Sequence, residues 1–131
     1  MKQGIKSLLG PKPHLGIAIT YTLLTTAALL TPITGAPKIE IPFADKMVHL
    51  IINAGLFVVW ASYVFSGKTK TTKTYTLPLL FLCTLLYGIL IEVIQGSFIP
   101  TRGADFFDVV ANVCGLILGF FAVKLTKKFI Y

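Results

Sequence analysis

Three stretches of this sequence carry ionisable and amide side chains at helical spacing inside apolar surroundings. Residues three or four positions apart share one face of a helix. The three sets that follow this spacing are Asp45, His49 and Asn53; Glu92 and Gln95; and Asp105, Asp108 and Asn112. Ionisable residues within membrane-spanning segments are rare and often mark a functional site. We therefore treat the three sets as one candidate site.

The chemistry that these residue types could perform is acid–base catalysis beside an anion site. His49 is a candidate general acid or base, and Asp45 or Glu92 could orient its ring. Lys46 and Arg102 could hold a phosphate or a carboxylate.

The remaining residues of the candidate site have less specific roles. Asp108 could assist catalysis, and with His49 and Glu92 it offers groups that can bind a metal. Their spacing is not a recognised metal signature, and the sequence contains no GxSxG or HExxH motif, so we expect no metal and no other cofactor. Gln95 and Asn112 are further candidates for binding a substrate.

A purely structural explanation of the same residues stays open. The charged groups could pair with one another and hold the helices together. Asp45 and Asp105 could also complement the dipoles of helices that start beside them. For Asn53 and Asn112, a hydrogen bond between helices is the simpler role.

Four apolar runs position these residues: 15–33, 48–65, 77–95 and 106–125. The chain is 55% hydrophobic and 13% charged, whereas soluble domains carry about 25% charged residues. A helix needs ~20 apolar residues to cross a bilayer. The sequence predicts an all-α integral membrane protein, a bundle of four transmembrane helices that forms one domain over residues 1–131. A lipid bilayer is the partner that this fold requires.

The charges between the runs predict the orientation. The two ends of the chain and the loop between the second and third runs hold nine lysines and no acid: Lys2, Lys6, Lys12, Lys68, Lys70, Lys73, Lys124, Lys127 and Lys128. The other side holds three basic residues and all five acidic ones. By the positive-inside rule, both termini are cytoplasmic in a multi-pass protein of the cell membrane. The candidate site then lies at the extracytoplasmic ends of the helices.

The net charge of +7 could indicate nucleic-acid binding. The charges lie between apolar runs, however, so membrane topology explains them and we expect no nucleic-acid partner. The basic start, the first apolar run and residues 34–36 could also form a cleaved signal peptide. That run is longer than a usual signal segment and Pro37 follows directly, so we favour an uncleaved helix.

A strip of small residues follows the polar set in the fourth run. Ala111, Gly115 and Gly119 are four residues apart, a spacing that lets another helix approach closely. The strip predicts packing within the chain, with a homodimer interface as the alternative.

At these positions the sequence resembles the VanZ-like family. The resemblance covers residues 45–125 and rests on four motifs in order: D-K-x-x-H (Asp45, Lys46, His49), E-x-x-Q (Glu92, Gln95), P-x-R (Pro100, Arg102) and D-x-x-x-N-x-x-G-x-x-x-G (Asp108, Asn112, Gly115, Gly119). An aromatic residue is commoner in relatives where this chain has Asn53. The resemblance implies a small bacterial membrane protein of the cell envelope. It also implies a link to antibiotic resistance, namely resistance to the glycopeptide teicoplanin. Some relatives carry a phosphotransbutyrylase label, but nothing here looks like an acyl-CoA or phosphate site on the cytoplasmic side.

Three functions remain in competition. The first is an enzyme that acts at the outer leaflet on a lipid or a cell-wall precursor. The second is a non-catalytic module that binds or shields such a ligand. The third, a small transporter or proton relay, is disfavoured because no ionisable residue lies mid-membrane.

Overall fold

Four long helices make up the described part of the chain. The computed structural model describes residues 10–32, 43–67, 75–99 and 105–130, with side chains up to Lys127. The helices are α1 (Pro11–Leu30), α2 (Ala44–Ser66), α3 (Thr76–Phe98) and α4 (Phe106–Ile130). All four contain a stretch long and apolar enough to cross a membrane, and no strand occurs in these ranges. The prediction of an all-α fold with four candidate spans is confirmed. The direction in which the helices cross the membrane stays a prediction.

The helix starts follow from local sequence. Pro11 and Pro13 lie in the first turn of α1, where no intrahelical partner exists for a backbone N–H. Asp45 occupies the first turn of α2, where a negative charge complements the helix dipole. Asp105 caps α4, because its Oδ1 accepts a hydrogen bond from the Phe107 N–H at 2.9 Å.

The arrangement places four acidic residues at one end of the bundle. At this end, α1 and α3 finish while α2 and α4 begin. We call it the acidic end, since it holds all the Asp and Glu residues of the described part: Asp45, Glu92, Asp105 and Asp108. The lysines of α4 that the structure describes, Lys124 and Lys127, lie at the opposite end of that helix.

Helix α2 is central, and α4 is its most extensive neighbour. The contact depends on glycine. A Cβ on Gly115 would lie 2.2 Å from the backbone oxygen of Leu50, and one on Gly119 would lie 2.8 Å from that of Ala54. The small-residue strip therefore packs on α2 within the chain. The alternative of a homodimer through Ala111, Gly115 and Gly119 gains no support.

The half of the bundle away from the acidic end has an aromatic core. Phe57 of α2 lies 6.3 Å from Phe81 of α3 and 6.0 Å from Phe120 of α4, measured between ring centroids. Phe81 and Phe120 are 6.5 Å apart with nearly perpendicular rings. Aromatic pairs at these distances attract each other through the edge and face of the rings. This cluster joins three helices, and the polar site occupies their other half.

Helix α1 is held to the bundle by polar contacts. The Tyr21 hydroxyl donates to the Ile52 carbonyl at 2.9 Å, and Trp60 Nε1 donates to Thr22 Oγ1 at 3.0 Å. Such bonds help to join helices in a bilayer, where no hydrophobic driving force brings helices together.

Candidate functional site

His49 is the centre of a buried polar cluster at the acidic end. Its side chain is 1% exposed and comes from the second turn of α2. The Nδ1 atom lies 3.2 Å from Glu92 Oε1 of α3 and 3.2 Å from Asn112 Oδ1 of α4. The structure thus brings together one residue from each of the three sets that the sequence singled out.

Two asparagines fix the orientation of the His49 ring. Asn53 Nδ2 lies 2.8 Å from the backbone oxygen of His49 and 2.7 Å from Asn112 Oδ1. A backbone oxygen can only accept, so the Asn53 atom facing it must be the amide nitrogen. The Asn112 atom that receives the second bond must then be its oxygen. Because that oxygen also faces His49 Nδ1, the hydrogen-bond network assigns the N–H of the ring to Nδ1.

The opposite side of the ring faces two carboxylates. His49 Nε2 lies 3.8 Å from Asp108 Oδ2 and 3.9 Å from Asp45 Oδ1. Both distances exceed the length of a hydrogen bond. With the proton on Nδ1, the neutral ring has its lone pair on Nε2, directed toward this pair of acids. Nε2 is therefore the ring atom available to accept a proton or to bind a cation.

Glu92 is a buried carboxylate whose oxygens lack hydrogen-bond partners among the described residues. The residue is 3% exposed, and neither Oε1 nor Oε2 makes a hydrogen bond of normal geometry with the described residues. Burying a carboxylate away from water is costly unless it is paired and hydrogen-bonded. His49 is the neighbour that the sequence suggested for this carboxylate, and its Nδ1 lies 3.2 Å from Glu92 Oε1.

Lys46 forms the charged upper layer of the site. Its Nζ donates to Asp105 Oδ2 at 2.7 Å and to Asp108 Oδ1 at 3.1 Å, so it joins α2 to the start of α4. The bond from Lys46, together with the Phe107 N–H, holds the pKa of the Asp105 carboxyl below its ordinary value. Lys46 is thus already engaged by two carboxylates, whereas the sequence suggested it for holding an anion.

Exposure separates the site into a rim and an interior. The Asp45 and Asp105 side chains are 59% and 42% exposed, and that of Lys46 is 28% exposed. The interior residues are each less than 5% exposed: His49, Asn53, Glu92, Asp108 and Asn112. In this conformation of the protein, a ligand would contact the rim residues before the buried ones.

An apolar groove begins beside this rim. It lies between α2 and α4 and has a volume of about 290 Å³. Its lining residues are Phe43, Lys46, Met47, Leu50, Phe107, Val110, Ala111 and Cys114. Lys46 is the charged member of this set and the link between the groove and the buried cluster.

One residue of the predicted site, Gln95, stands apart from the cluster. Gln95 is buried, but its Nε2 donates to the backbone oxygen of Leu29 at 2.6 Å, so it ties α3 to the last turn of α1. Arg102 lies outside the described residues. The apolar residues of the groove were not predicted as part of a site, because an apolar residue in a membrane helix gives no signal that distinguishes a groove from a lipid-facing surface.

One group of side chains has the composition of a metal site. Asp45, His49 and Asp108 each offer a ligand atom, and these three atoms all lie within 4.8 Å of one another. The residues come from two helices, so their spacing along the chain carries no metal signature.

These features define a four-helix integral membrane protein with a buried histidine–carboxylate cluster at one end of the bundle. A family model described as VanZ/LLP1 matches residues 12–127. The chain belongs to this family, and the resemblance found in its motifs is confirmed. Comparison with curated proteins and with solved structures gives no significant match.

Proposed function

We propose that the protein binds a lipid or a lipid-linked cell-wall precursor at the outer leaflet of the cell membrane, with the ligand's head group beside the His49 cluster. The lysine distribution supports this orientation, because the positive-inside rule then puts the acidic end at the extracytoplasmic face. The role that we propose for this binding is protection against glycopeptides such as teicoplanin, which is what the family resemblance implies.

The observation that carries the proposal is the continuity between the groove and the cluster. An acyl chain lying between α2 and α4 would place its polar end at Lys46. Lys46 contacts one carboxylate oxygen of Asp108, and the other oxygen of that carboxylate lies 3.8 Å from His49 Nε2. Ligand sites typically combine an apolar pocket with a few polar groups that converge at one point.

Catalysis is the first form of this function. The network around Nδ1 makes Nε2 the lone-pair atom of the neutral His49 ring, and a positioned histidine can transfer protons during a reaction. In this form His49 and Glu92 act on the bound precursor, with Asp45 and Asp108 at the reacting side of the ring.

Non-catalytic binding is the second form, and the burial of His49 favours it. At 1% exposure the ring does not meet a ligand unless the rim opens. The cluster would then shape and charge a receptor for a lipid that the protein shields or sequesters.

The experiment that tests the site uses a host that carries the gene. His49→Ala and Glu92→Gln are compared with the unchanged protein for teicoplanin protection, protein level and envelope lipid composition. We expect protection to be lost at unchanged protein level. Accumulation of one lipid species would support catalysis, and an unchanged lipid profile would support binding. Full protection by both variants would refute the role of the cluster.

The groove is tested by filling it. Val110 lines the groove and is 41% exposed, so Val110→Trp should block an acyl chain without disturbing the bundle. Leu118→Trp is the matched control, because Leu118 is an exposed residue of the same helix outside the groove. We expect less lipid to co-purify with Val110→Trp than with Leu118→Trp, measured by native mass spectrometry. Equal amounts would show that the groove does not hold the lipid.

A further inference from the structure

The Nε2 side of His49 faces two carboxylates. The hydrogen-bond network places a ring N–H on Nδ1, so in the neutral ring the Nε2 lone pair faces Asp108 Oδ2 at 3.8 Å and Asp45 Oδ1 at 3.9 Å. This lone pair and the two carboxylates repel one another unless a proton or a metal ion lies between them. Lys46 does not fill this position, since its contact is with Oδ1, the other oxygen of Asp108.

The geometry suits a metal ion at this point. The three atoms lie within 4.8 Å of one another. Zinc binds nitrogen and oxygen ligands at ~2.0–2.2 Å, so two ligands of one tetrahedral ion are about 3.3 Å apart. Each observed distance from Nε2 is roughly half an ångström longer than this. Rotation of Asp45, whose side chain is 59% exposed, can supply the contraction on its side.

Glu92 gives an independent indication. A histidine that binds a metal through one ring nitrogen usually donates its other N–H to a carboxylate or carbonyl oxygen. Glu92 Oε1 lies 3.2 Å from Nδ1, and the Asn112 amide oxygen lies at the same distance. The Glu92 oxygens are buried without a hydrogen bond of normal geometry. A dication on the far side of the ring would polarise the Nδ1–H toward them.

The charge of this end also suits a cation. Among the described residues it holds four acids and Lys46. In the whole sequence, the side that includes these residues has five acids against three basic residues, a net charge of −2. A divalent ion would cancel this excess of negative charge.

We propose that Asp45, His49 and Asp108 bind one divalent transition-metal ion, with Glu92 as the residue that positions the His49 ring. Imidazole suits zinc and carboxylates suit manganese, so a set of one nitrogen and two oxygens fits Zn²⁺ or Mn²⁺. The inference does not rest on the lipid function, because it concerns only these side chains and the ion.

The test is a titration of the purified full-length protein in detergent. Any affinity tag is removed, the protein is treated with a chelator, and Zn²⁺ or Mn²⁺ is added in a calorimeter. We expect one ion per chain. Asp45→Asn and Asp108→Asn each remove a ligand and should weaken binding by about tenfold or more. Glu92→Gln should weaken it by about 10–100-fold, the usual effect of losing the carboxylate behind a ligating histidine.

Asp105→Asn is the matched control. Asp105 has the same charge and also contacts Lys46, but it is not part of the three-residue set. Asparagine can cap α4 as aspartate does, so this variant keeps the helix start. We expect its metal affinity to fall by less than that of Asp45→Asn, because it removes a charge of the acidic end but no ligand.

Several results would overturn the proposal. One is the absence of a saturable site. Another is an equal loss of affinity in Asp105→Asn and Asp45→Asn, which would indicate diffuse attraction to the acidic end. A ¹⁵N NMR spectrum that shows His49 as imidazolium in the presence of Zn²⁺ would mean that a proton occupies the place of the ion. If Asp108→Asn does not fold, Asp45→Asn decides the matter, because Asp45 is exposed and its loss leaves the packing intact. No lipid is present, so failure here leaves the lipid proposal standing.

Discussion

Gly115→Ala should damage both the fold and the site, although it adds a single methyl group. A Cβ at this position would lie 2.2 Å from the Leu50 backbone oxygen, 3.0 Å from its carbonyl carbon and 3.1 Å from its Cα. All three atoms belong to the backbone of α2, so no side chain can rotate away. The helices themselves must separate.

The magnitude follows from these distances. Real Cβ atoms essentially never come closer than 3.0 Å to another heavy atom, so α2 and α4 must part by at least about 0.8 Å. Overpacking of this kind costs ~1–3 kcal/mol. The same movement would stretch the 3.2 Å contact between His49 Nδ1 and Asn112 Oδ1 to about 4 Å, beyond hydrogen-bond length. A hydrogen bond between membrane helices contributes ~0.6 kcal/mol on average, so the total loss is about 2–4 kcal/mol.

The assay is reversible unfolding in mixed micelles, with far-UV circular dichroism as the signal and the free energy of unfolding as the result. Gly16→Ala is the matched control, because nothing lies within 4 Å of a Cβ at Gly16. That variant should be unchanged, or more stable by ~0.5–1 kcal/mol since alanine favours helix. The stability of Gly119→Ala should fall between those of the other two variants, because its Cβ would lie 2.8 Å from the Ala54 backbone oxygen and 3.0 Å from the Phe57 Cβ. If the free energies of unfolding of Gly115→Ala and Gly16→Ala differ by less than about 0.5 kcal/mol, the close approach of α2 and α4 is wrong.

Three further changes test other contacts in the same assay. Tyr21→Phe removes the hydroxyl that donates to the Ile52 carbonyl and should cost ~0.6 kcal/mol; no change would mean that this bond does not hold α1. Asn112→Ala leaves two buried donors without their shared acceptor and should cost ~1–3 kcal/mol, a loss that would be absent if the donors found other partners. Lys46 holds the pKa of Asp105 below its ordinary value, so this ion pair stabilises the fold above pH ~3.9 and is lost as the pH falls through the lowered pKa. Asp105→Asn should therefore reduce stability at neutral pH and not in strong acid; an equal loss at both would contradict this assignment.

The sequence was sufficient to predict the four helices and to single out the residues that meet in the buried cluster. Polar groups are costly in lipid, so the few that these apolar runs contain stand out against their surroundings. Helical spacing then assigned Asp45, His49 and Asn53 to one face, and the structure brings His49 and Asn53 together with Asn112. Here the signal is strong because the background is apolar.

The contacts between helices could not be predicted in the same way. A helix in water shows its buried face as an apolar stripe, but a helix in lipid is apolar on every side. Gln95 shares a face with Glu92, yet it bonds to α1 while Glu92 meets His49. Nothing in the spacing of these two residues distinguishes their partners. The groove and the three-residue metal set have the same origin, since both arise where α2 meets α4.

The glycine strip and the polar site both depend on the same close contact between α2 and α4. Leu50, whose backbone oxygen fills the space at Gly115, follows His49 directly in α2, and Gly115 lies three residues after Asn112 in α4. The gap that a Cβ would force open is therefore less than one turn from the 3.2 Å contact between His49 and Asn112. The D-x-x-x-N-x-x-G-x-x-x-G motif then acts as one unit, in which the glycines set the distance that the asparagine needs. A variant that keeps every polar residue but replaces Gly115 should lose the orientation of the His49 ring, and with it the placement of Nε2 between the two carboxylates.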